Sequence, residues 1–234
     1  MGSTRLPGKV LRPILGQPML ARMIERLRRV RWADGIVIAT TDQPADDAIV
    51  ALASELGVGC HRGSETDVLE RVLGAARSAA ADLIVETTAD CPLIDPGVID
   101  QLIQTFHSNR VDYCANVVTP SYPRGLDAQV FPTRILAEVA ALTNDPADRE
   151  HVSLYIYEHP DRFRLLNLAS GLPGDVSDLR LTVDTAEDLE LVTRVYAELY
   201  PSNPAFGLSD IIGLMERQPL LGTMNQHIQQ KTIR

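Results

Sequence analysis

The chain has 234 residues, of which 45% are hydrophobic and 23% are charged, and this size and balance fit one larger α/β domain with a full hydrophobic core. Its net charge of −9 argues against a nucleic-acid-binding protein, because phosphate backbones select basic protein faces. Three cysteines without a C-x-x-C pair argue against a disulfide framework and a zinc ribbon, and the lack of a membrane-length apolar run or a leading signal peptide predicts a cytoplasmic protein without membrane contact.

Apolar and polar residues follow patterns that predict strands and helices in turn along most of the chain. The predicted strands are residues 35–41, 58–61, 83–87, 111–118, 126–131, 163–168 and 181–183. The predicted helices are residues 46–56, 67–80, 96–106, 134–142, 148–158 and 186–199. Gly57 is expected to end the first of these helices, and Pro96 to open the third. The alternation with short links predicts an α/β fold with a mostly parallel sheet and helices on both faces.

We expect residues 1–217 to form a single domain and residues 218–234 to form a polar C-terminal tail. In a doubly wound sheet, a phosphate-binding loop normally follows the first strand and leads into a helix. The loop from Gly2 to Lys9 begins directly after Met1, so the first strand is expected to be missing from this chain.

Residues 1–31 are strongly basic, with eight lysines and arginines and Glu25 as the one acid. Residues 22–31 of this segment predict a helix face in contact with solvent, whereas Arg5 and Lys9 stand in the glycine-containing loop. That loop is not a Walker A motif, because five residues rather than four separate its glycines and a valine follows the lysine. Free N–H groups with two cations suit a polyphosphate ligand, and an ordinary basic turn is the alternative.

Two acidic residues follow predicted strands at the edge where ligands gather in open α/β sheets. Asp90 comes shortly after the strand at residues 83–87, where a carboxylate can hold Mg²⁺ between nucleotide phosphates. Asp184 comes directly after residues 181–183, and it is either a second magnesium ligand opposite Asp90 or a helix cap. Asp95, just before a proline, is predicted to be a helix N-cap.

Several short motifs follow one another in a fixed order. They are Gly2-Ser-Thr-Arg-Leu-Pro-Gly-Lys9, Ile38-Ala-Thr-Thr41 with Asp46-Asp47, Arg62-Gly-Ser-Glu65 with Asp67-Val-Leu, Ala89-Asp-Cys-Pro-Leu-Ile-Asp-Pro96, Tyr122-Pro-Arg-Gly-Leu-Asp127 and Arg149-Glu-His-Val152. In this order they closely resemble the spore coat polysaccharide biosynthesis protein F family. That family is related to the cytidylyltransferases that activate sialic acid, pseudaminic acid and 3-deoxy-octulosonic acid. The resemblance runs from residue 2 to about residue 190 and implies the Rossmann-like nucleotide-diphospho-sugar transferase fold.

The resemblance implies transfer of CMP from CTP to an acidic 2-keto sugar, a nonulosonate or similar, with release of pyrophosphate, in surface polysaccharide biosynthesis. It implies that Arg5, Lys9 and Asp90 are catalytic, that Asp90 and Asp184 hold Mg²⁺, and that the enzyme is a homodimer. The residues implied to lie around the nucleotide are Gly2, Ser3, Ala39, Thr40, Arg62 and Ser64. The residues implied to face the sugar are Arg124, Asp127, Glu150 and His151, with the Arg124 guanidinium suited to a sugar carboxylate.

The chain departs from the resemblance in two respects. Relatives have a strand ahead of the position of Gly2, and they often carry an arginine where this chain has Glu86. A non-catalytic or truncated family member is therefore one alternative hypothesis. A glycosyltransferase of the same fold is another, although Asp90 is followed by cysteine and proline rather than by the D-x-D metal motif of such enzymes.

Overall fold

Strands and helices alternate along the chain in a computed structural model that describes residues 1–172 and 176–230. The strands in the described residues are β1 (Pro13–Ile14), β2 (Gln17–Pro18), β3 (Val37–Thr41), β4 (Gly59–Gly63), β5 (Leu83–Glu86), β6 (Tyr113–Ala115), β7 (Gln129–Pro132) and β8 (Leu165–Asn167). The α-helices are α1 (Met19–Leu27), α2 (Asp47–Leu56), α3 (Val68–Ser78), α4 (Pro96–Ser108), α5 (Thr133–Leu142), α6 (Pro146–Glu150), α7 (Leu154–Glu158), α8 (Ala186–Leu199), α9 (Leu208–Arg217) and α10 (Pro219–Thr223). The α/β class predicted from the sequence is confirmed.

The strands form separate sheets rather than one mostly parallel sheet. The largest has four strands in the order β5-β7-β6-β8, and β7 runs antiparallel to both of its neighbours. Strand β6 is parallel to β8, and β3 is parallel to β4 in a sheet of two strands. The sheet is mixed because β7 enters it in the reverse direction between β5 and β6, an order that local hydrophobic patterns do not encode. Among the described residues, β3 pairs with β4 alone and β5 with β7 alone.

Helices cover both faces of the four-stranded sheet, as the sequence predicts. Cys114 and Val130 point into one hydrophobic core, which packs against α4, α8 and α9. Tyr113 and Phe131 point into a second core on the opposite face, which packs against α3, α5 and α7. A third, smaller core joins α1 and α2, with Ile38 of β3 packed against it. No helix in the described ranges is both long and apolar enough to cross a membrane.

Helix boundaries follow the predicted signals where a capping residue is present. Gly57 adopts a left-handed conformation (φ 63°) and ends α2. Asp95 caps α4 by accepting hydrogen bonds from the backbone N–H groups of Gly97 (2.7 Å) and Val98 (3.3 Å). Thr185 caps α8, which begins and ends where the sequence predicts.

Two predicted elements differ in the structure. Residues 181–183 form no strand: within the described residues, the bridge next to them is an isolated one between Arg124 and Arg180. The predicted helix at residues 148–158 is divided into α6 and α7. Val152 lies at the break with φ 50°, a conformation that β-branched residues rarely adopt and that the sequence therefore does not signal.

The predicted solvent-facing helix at residues 22–31 is wrong for its first two arginines. Helix α1 buries Arg22, which is 6% exposed, and Arg26, which is 1% exposed. The Arg22 guanidinium donates to the carbonyl of Leu15 (3.1 Å), and Arg26 Nε donates to that of Ile94 (2.6 Å). Both guanidiniums also lie over aromatic rings, which stabilises a buried cation.

Candidate active site

Two cations of the N-terminal loop meet two acids from later parts of the chain. The Lys9 ammonium donates to Asp90 Oδ2, to Asp184 Oδ1 and to the Val183 carbonyl, each at 2.8 Å. Arg5 adds an ion pair to Asp184 Oδ2, also at 2.8 Å. The structure therefore brings together the two acids and the two cations that the sequence singles out.

Local backbone geometry explains why Asp90 and Asp184 meet although they are far apart in sequence. Asp90 lies in the turn after β5, and its carbonyl accepts a hydrogen bond from Val183 N (2.8 Å) and another from Thr182 Oγ1 (3.2 Å). These bonds hold the segment before α8 against the turn. On the other side, Gly8 adopts φ 67° and leads into the short 3₁₀ turn that aims Lys9 between the acids.

Contacts within the cluster favour the charged forms of Lys9 and Asp184. Burial opposes ionisation of Asp184, but hydrogen bonds from Lys9 and Arg180 and the charge of Arg5 outweigh it and lower the pKa of the Asp184 carboxyl. Burial likewise opposes the charge of Lys9, and Asp90 and Asp184 outweigh it and raise the pKa of the ammonium. The raised pKa of Lys9 and the lowered pKa of Asp184 therefore both favour the ion pair between these two residues.

The two carboxylates fit a magnesium ion that takes its other ligands from phosphate and water. Both reach one point, the Lys9 ammonium, at 2.8 Å, so their oxygens converge. The described residues contain no group of three or more histidines, cysteines or acids able to hold a metal alone. Mg²⁺ commonly binds through one or two carboxylates together with substrate phosphates, so Asp90 and Asp184 are the residues that would hold it.

Three of the side chains implied to surround the nucleotide are held by hydrogen bonds to neighbouring residues. Thr40 Oγ1 donates to Asp46 Oδ2 at 2.7 Å, and Ser64 Oγ accepts from the N–H of Asp67 at 3.1 Å. Arg62 donates to two carbonyls and to Asp47 (2.7 Å), so its guanidinium is held by the loop between β3 and α2. Ala39 is the residue before Thr40 on β3, half-buried. Their contact with a nucleotide stays a prediction.

The loop that carries Lys9 also carries Gly2 and Ser3. Gly2 is exposed, and Ser3 Oγ accepts a hydrogen bond from the N–H of Leu6 (3.3 Å), which tightens the turn ahead of Lys9. The Met1 amino group forms an ion pair with the buried Asp46 at 2.6 Å. The loop is thereby held at one end by the segment that follows β3 and at the other by Asp90 and Asp184.

Of the residues implied to face the sugar, two lie near the acid pair. Arg124 is exposed, and its backbone pairs with that of Leu179 and Leu181 beside the Asp184 segment. Gly125 has φ 99°, and a Cβ there would lie 2.5 Å from a backbone nitrogen, so only glycine allows this close approach. Burial raises the pKa of the Asp127 carboxyl, and the charge of Asp90 adds to the effect.

The other two sugar-facing candidates lie at the end of α6, and no contact joins them to the acid pair in the described residues. Glu150 is exposed and His151 is half-buried. Between α6 and α3, Arg149 donates to Asp67 Oδ2 at 3.1 Å and to the carbonyl of Thr143 at 3.0 Å. Arg149 thus fixes this segment without being among the predicted site residues.

Glu86, which stands where relatives often have an arginine, lies opposite Gln129 on the face of the sheet that packs against α3 and α5. The residue is half-buried, its Oε2 atom is buried without a hydrogen-bond partner, and burial raises the pKa of the carboxyl to about 7. Gln129 Oε1 accepts hydrogen bonds from the hydroxyls of Tyr113 and Ser153. Glu86 therefore belongs to a buried polar group that is distinct from the acid pair.

Sequence reasoning missed Arg180 and Asp188, which hold Asp184 through its side chain and its backbone N–H. Arg180 donates to Asp184 Oδ2 at 2.7 Å and to Asp188 Oδ1 at 2.9 Å. A signal is present in hindsight: an arginine interrupts an apolar segment four residues before Asp184, and Asp188 has the capping-box spacing from Thr185.

The fold and the site together define a nucleotidyltransferase: an α/β sheet covered on both faces, with a basic glycine-containing loop held over two converging carboxylates. A family model described as cytidylyltransferase matches residues 1–221. The chain belongs to the cytidylyltransferase family.

Individual proteins agree with the family assignment. The spore coat polysaccharide biosynthesis protein SpsF of Bacillus subtilis is 33% identical over 224 residues, which cover 94% of this chain and 92% of that protein. The structure of a cytidylyltransferase from Leptospira borgpetersenii superimposes with a TM-score of 0.90 at 31% identity, over 99% of this chain and 95% of the other. The structure of CMP:2-keto-3-deoxy-manno-octonic acid synthetase complexed with CTP has the same fold, with a TM-score of 0.61 at 21% identity, over 84% of this chain and 95% of the other.

Proposed function

We propose that the protein transfers CMP from CTP to an acidic 2-keto sugar, a nonulosonate or similar, and releases pyrophosphate. The observation that carries this proposal is the cluster of Lys9 and Arg5 on the converging carboxylates of Asp90 and Asp184. Two cations on a glycine-containing loop suit a triphosphate, and two acids that converge on one point suit the cation that accompanies it.

The reaction is an in-line attack of a sugar hydroxyl on the α-phosphate, with pyrophosphate as the leaving group. Such transfers need positioning and charge neutralisation more than covalent catalysis. Arg5 and Lys9 neutralise and orient the triphosphate from the loop, and Asp90 and Asp184 hold Mg²⁺. When bound, the metal neutralises the charge that develops on the phosphate oxygens.

Arg124, the comparisons and the family support an acidic 2-keto sugar as the acceptor. Arg124 is exposed beside the Asp184 segment, and a guanidinium pairs with both oxygens of a sugar carboxylate. A protein of this fold is described as the synthetase of a CMP-linked 2-keto-3-deoxy sugar acid, and SpsF is described as a polysaccharide biosynthesis protein. We therefore place the reaction in surface polysaccharide synthesis. A homodimer, which the resemblance implies, and a cytoplasmic location, which the sequence composition predicts, stay predictions.

Calorimetric titration with CTP and with UTP, each with Mg²⁺, tests the nucleotide part of the proposal. We expect selective binding of CTP, weakened about a hundredfold or more in Asp90→Asn, because loss of one metal-binding carboxylate removes a charge-assisted contact to the metal–phosphate unit. Asp161→Asn, at an exposed aspartate in the turn before β8, is the matched control and should bind as the wild type does.

Pyrophosphate release in the presence of CTP and a panel of acidic 2-keto sugars tests the acceptor. The proposed contact is supported if one of these acids gives pyrophosphate release and if Arg124→Lys raises the KM for that acid. Lysine keeps the charge of arginine but cannot pair with both carboxylate oxygens in the same geometry. Absence of CTP binding would support a non-catalytic member. Selective binding of a nucleotide sugar instead of CTP would support a glycosyltransferase.

A further inference from the structure

Behind the acid pair, Arg180 links Asp184 to the C-terminal segment of the chain. Arg180 is 6% exposed, and every nitrogen of its guanidinium donates a hydrogen bond. Its Nη2 reaches Asp184 Oδ2 (2.7 Å), its Nε reaches Asp188 Oδ1 (2.9 Å), and its Nη1 reaches Gln230 Oε1 (2.7 Å). The side chain that orients the Asp184 carboxylate is thus itself held by a residue close to the C-terminus.

Asp188 holds the same aspartate through the backbone. It is fully buried, and its Oδ2 accepts from the N–H of Asp184 (2.9 Å) and from that of Thr185 (3.0 Å). Arg180 neutralises the Asp188 carboxylate through two hydrogen bonds. Asp188 therefore fixes the main chain at Asp184, and Arg180 fixes its side chain.

Asn225 completes this arrangement. Its side chain is 1% exposed, and its Nδ2 donates both to the Arg180 carbonyl (3.0 Å) and to Asp188 Oδ1 (2.7 Å). The chain reaches this position through α10, where Leu221 is buried. The match to the family model ends at residue 221, so this contact lies beyond it.

We propose that the segment from Asn225 to Gln230 is a positioning element of the active site, which holds Arg180 and Asp188 so that Asp184 presents its carboxylate to the metal–nucleotide complex. The inference rests on the proposed function. Neither Asn225 nor Gln230 contacts the acid pair directly, so both act through Arg180 and Asp188.

The geometry gives Asn225 a role that an apolar or acidic residue cannot fill. Both partners of Nδ2 are acceptors, a carbonyl and a carboxylate, so the position requires a neutral side chain with two N–H donors. Asn225→Asp keeps the shape and replaces those donors with an oxygen. The new carboxylate would face that of Asp188 and compete for Arg180, which leaves less of the guanidinium for Asp184.

Binding of Mn²⁺ in the presence of saturating CTP, followed by the electron paramagnetic resonance signal of free Mn²⁺, tests the inference on the full chain. We expect Asn225→Asp to raise the Kd for Mn²⁺ about tenfold, which is the scale for loss of a residue that orients a metal ligand. Gln230→Ala, which removes one hydrogen bond at the surface, should raise it about threefold. Gln226→Ala, at an exposed neighbour, is the control and should leave the Kd unchanged.

Thermal unfolding of the same variants separates positioning from simple structural support, because a purely structural residue lowers Tm and leaves the Mn²⁺ affinity of the folded protein unchanged. Wild-type affinity in folded Asn225→Asp overturns the inference. If Asn225→Asp does not fold, wild-type affinity in Gln230→Ala overturns it. Failure of the wild type to bind Mn²⁺ with CTP overturns the proposed function itself, and the inference with it.

Discussion

The position of Lys9 between two carboxylates follows from simple electrostatics. Two carboxylates that converge on one point repel each other unless a cation lies between them. The Lys9 ammonium lies between Asp90 and Asp184, and its third hydrogen bond goes to the Val183 carbonyl. The acid pair is thereby held in place before any nucleotide arrives, which is the preorganisation that a charge-neutralising site requires.

Glu86 is the residue whose ionisation we expect to make the free energy of unfolding depend on pH. Burial raises the pKa of its carboxyl from 4.5 to about 7, so folding favours the protonated form. Well below pH 4.5 the carboxyl is protonated in both states, and the free energy of unfolding is unaffected. As the pH rises from 4.5 toward 7, ionisation in the unfolded chain lowers the free energy of unfolding, and above about pH 7 the loss is constant. Because the residue is only half-buried, we expect the full cost to be about 2 kcal/mol.

Glu86→Gln should therefore raise the free energy of unfolding by about 2 kcal/mol at pH 8.5 and by less than about 1 kcal/mol at pH 5. Urea denaturation at the two pH values measures the difference. Glu216→Gln, at an exposed position on α9, is the control and should have no pH-dependent effect. An equal gain at both pH values would contradict the assignment of the effect to ionisation.

At the scale of single elements, periodicity and capping residues predict helices well and strand partners poorly. Helix α8 lies where the sequence predicts, because Thr185 caps it and its apolar residues recur at helical spacing. Residues 181–183 are as apolar as a strand, but a strand needs a partner, and in the described part of the chain the nearest bridge is the isolated one at Arg180. The burial of Asn225 was equally hidden, because its partners lie on Arg180 and Asp188, far away in sequence.

The end of α3 offers a test of backbone strain. Ala80 has φ 50° and is exposed, and the N–H of Ala81 donates to the carbonyl of Ala76 (2.9 Å), as expected where a left-handed residue ends a helix. Ala80→Gly should raise the free energy of unfolding by about 0.5–1 kcal/mol, because glycine adopts this conformation without a Cβ penalty. Urea denaturation measures the change.

The neighbouring residue provides a control of opposite sign. Ala79 is exposed with φ −92°, which alanine adopts readily, so Ala79→Gly should lower the free energy of unfolding by about 0.5–1 kcal/mol. If both glycine substitutions destabilise the protein equally, the left-handed conformation of Ala80 is not a source of strain.

At the scale of the whole molecule, the candidate site lies between two layers with separate cores. Strands β3 and β4 form a two-stranded sheet, which carries Ala39, Thr40 and Arg62 of the residues implied to surround the nucleotide. The acid pair belongs to the other layer, after β5 and before α8. Their positions along the chain were predictable from the motifs, whereas the separation of the two sheets was not, because it depends on which strands pair. Two-stranded sheets are marginal alone, so the β3–β4 layer depends on what it packs against.

A nucleotide that contacts both layers should stabilise the two-stranded sheet of β3 and β4 against local opening. With Mg²⁺ and CTP at about 100 times Kd, binding adds about 2.7 kcal/mol to the free energy of any opening that releases the nucleotide. We therefore expect amide hydrogen exchange in residues 37–41 and 59–64 to slow by up to about a hundredfold. UTP with Mg²⁺ should give little protection, and Asp90→Asn should lose most of the protection that CTP gives. Protection restricted to the N-terminal loop and the turn around Asp90 would show that β3 and β4 do not form the cytidine site.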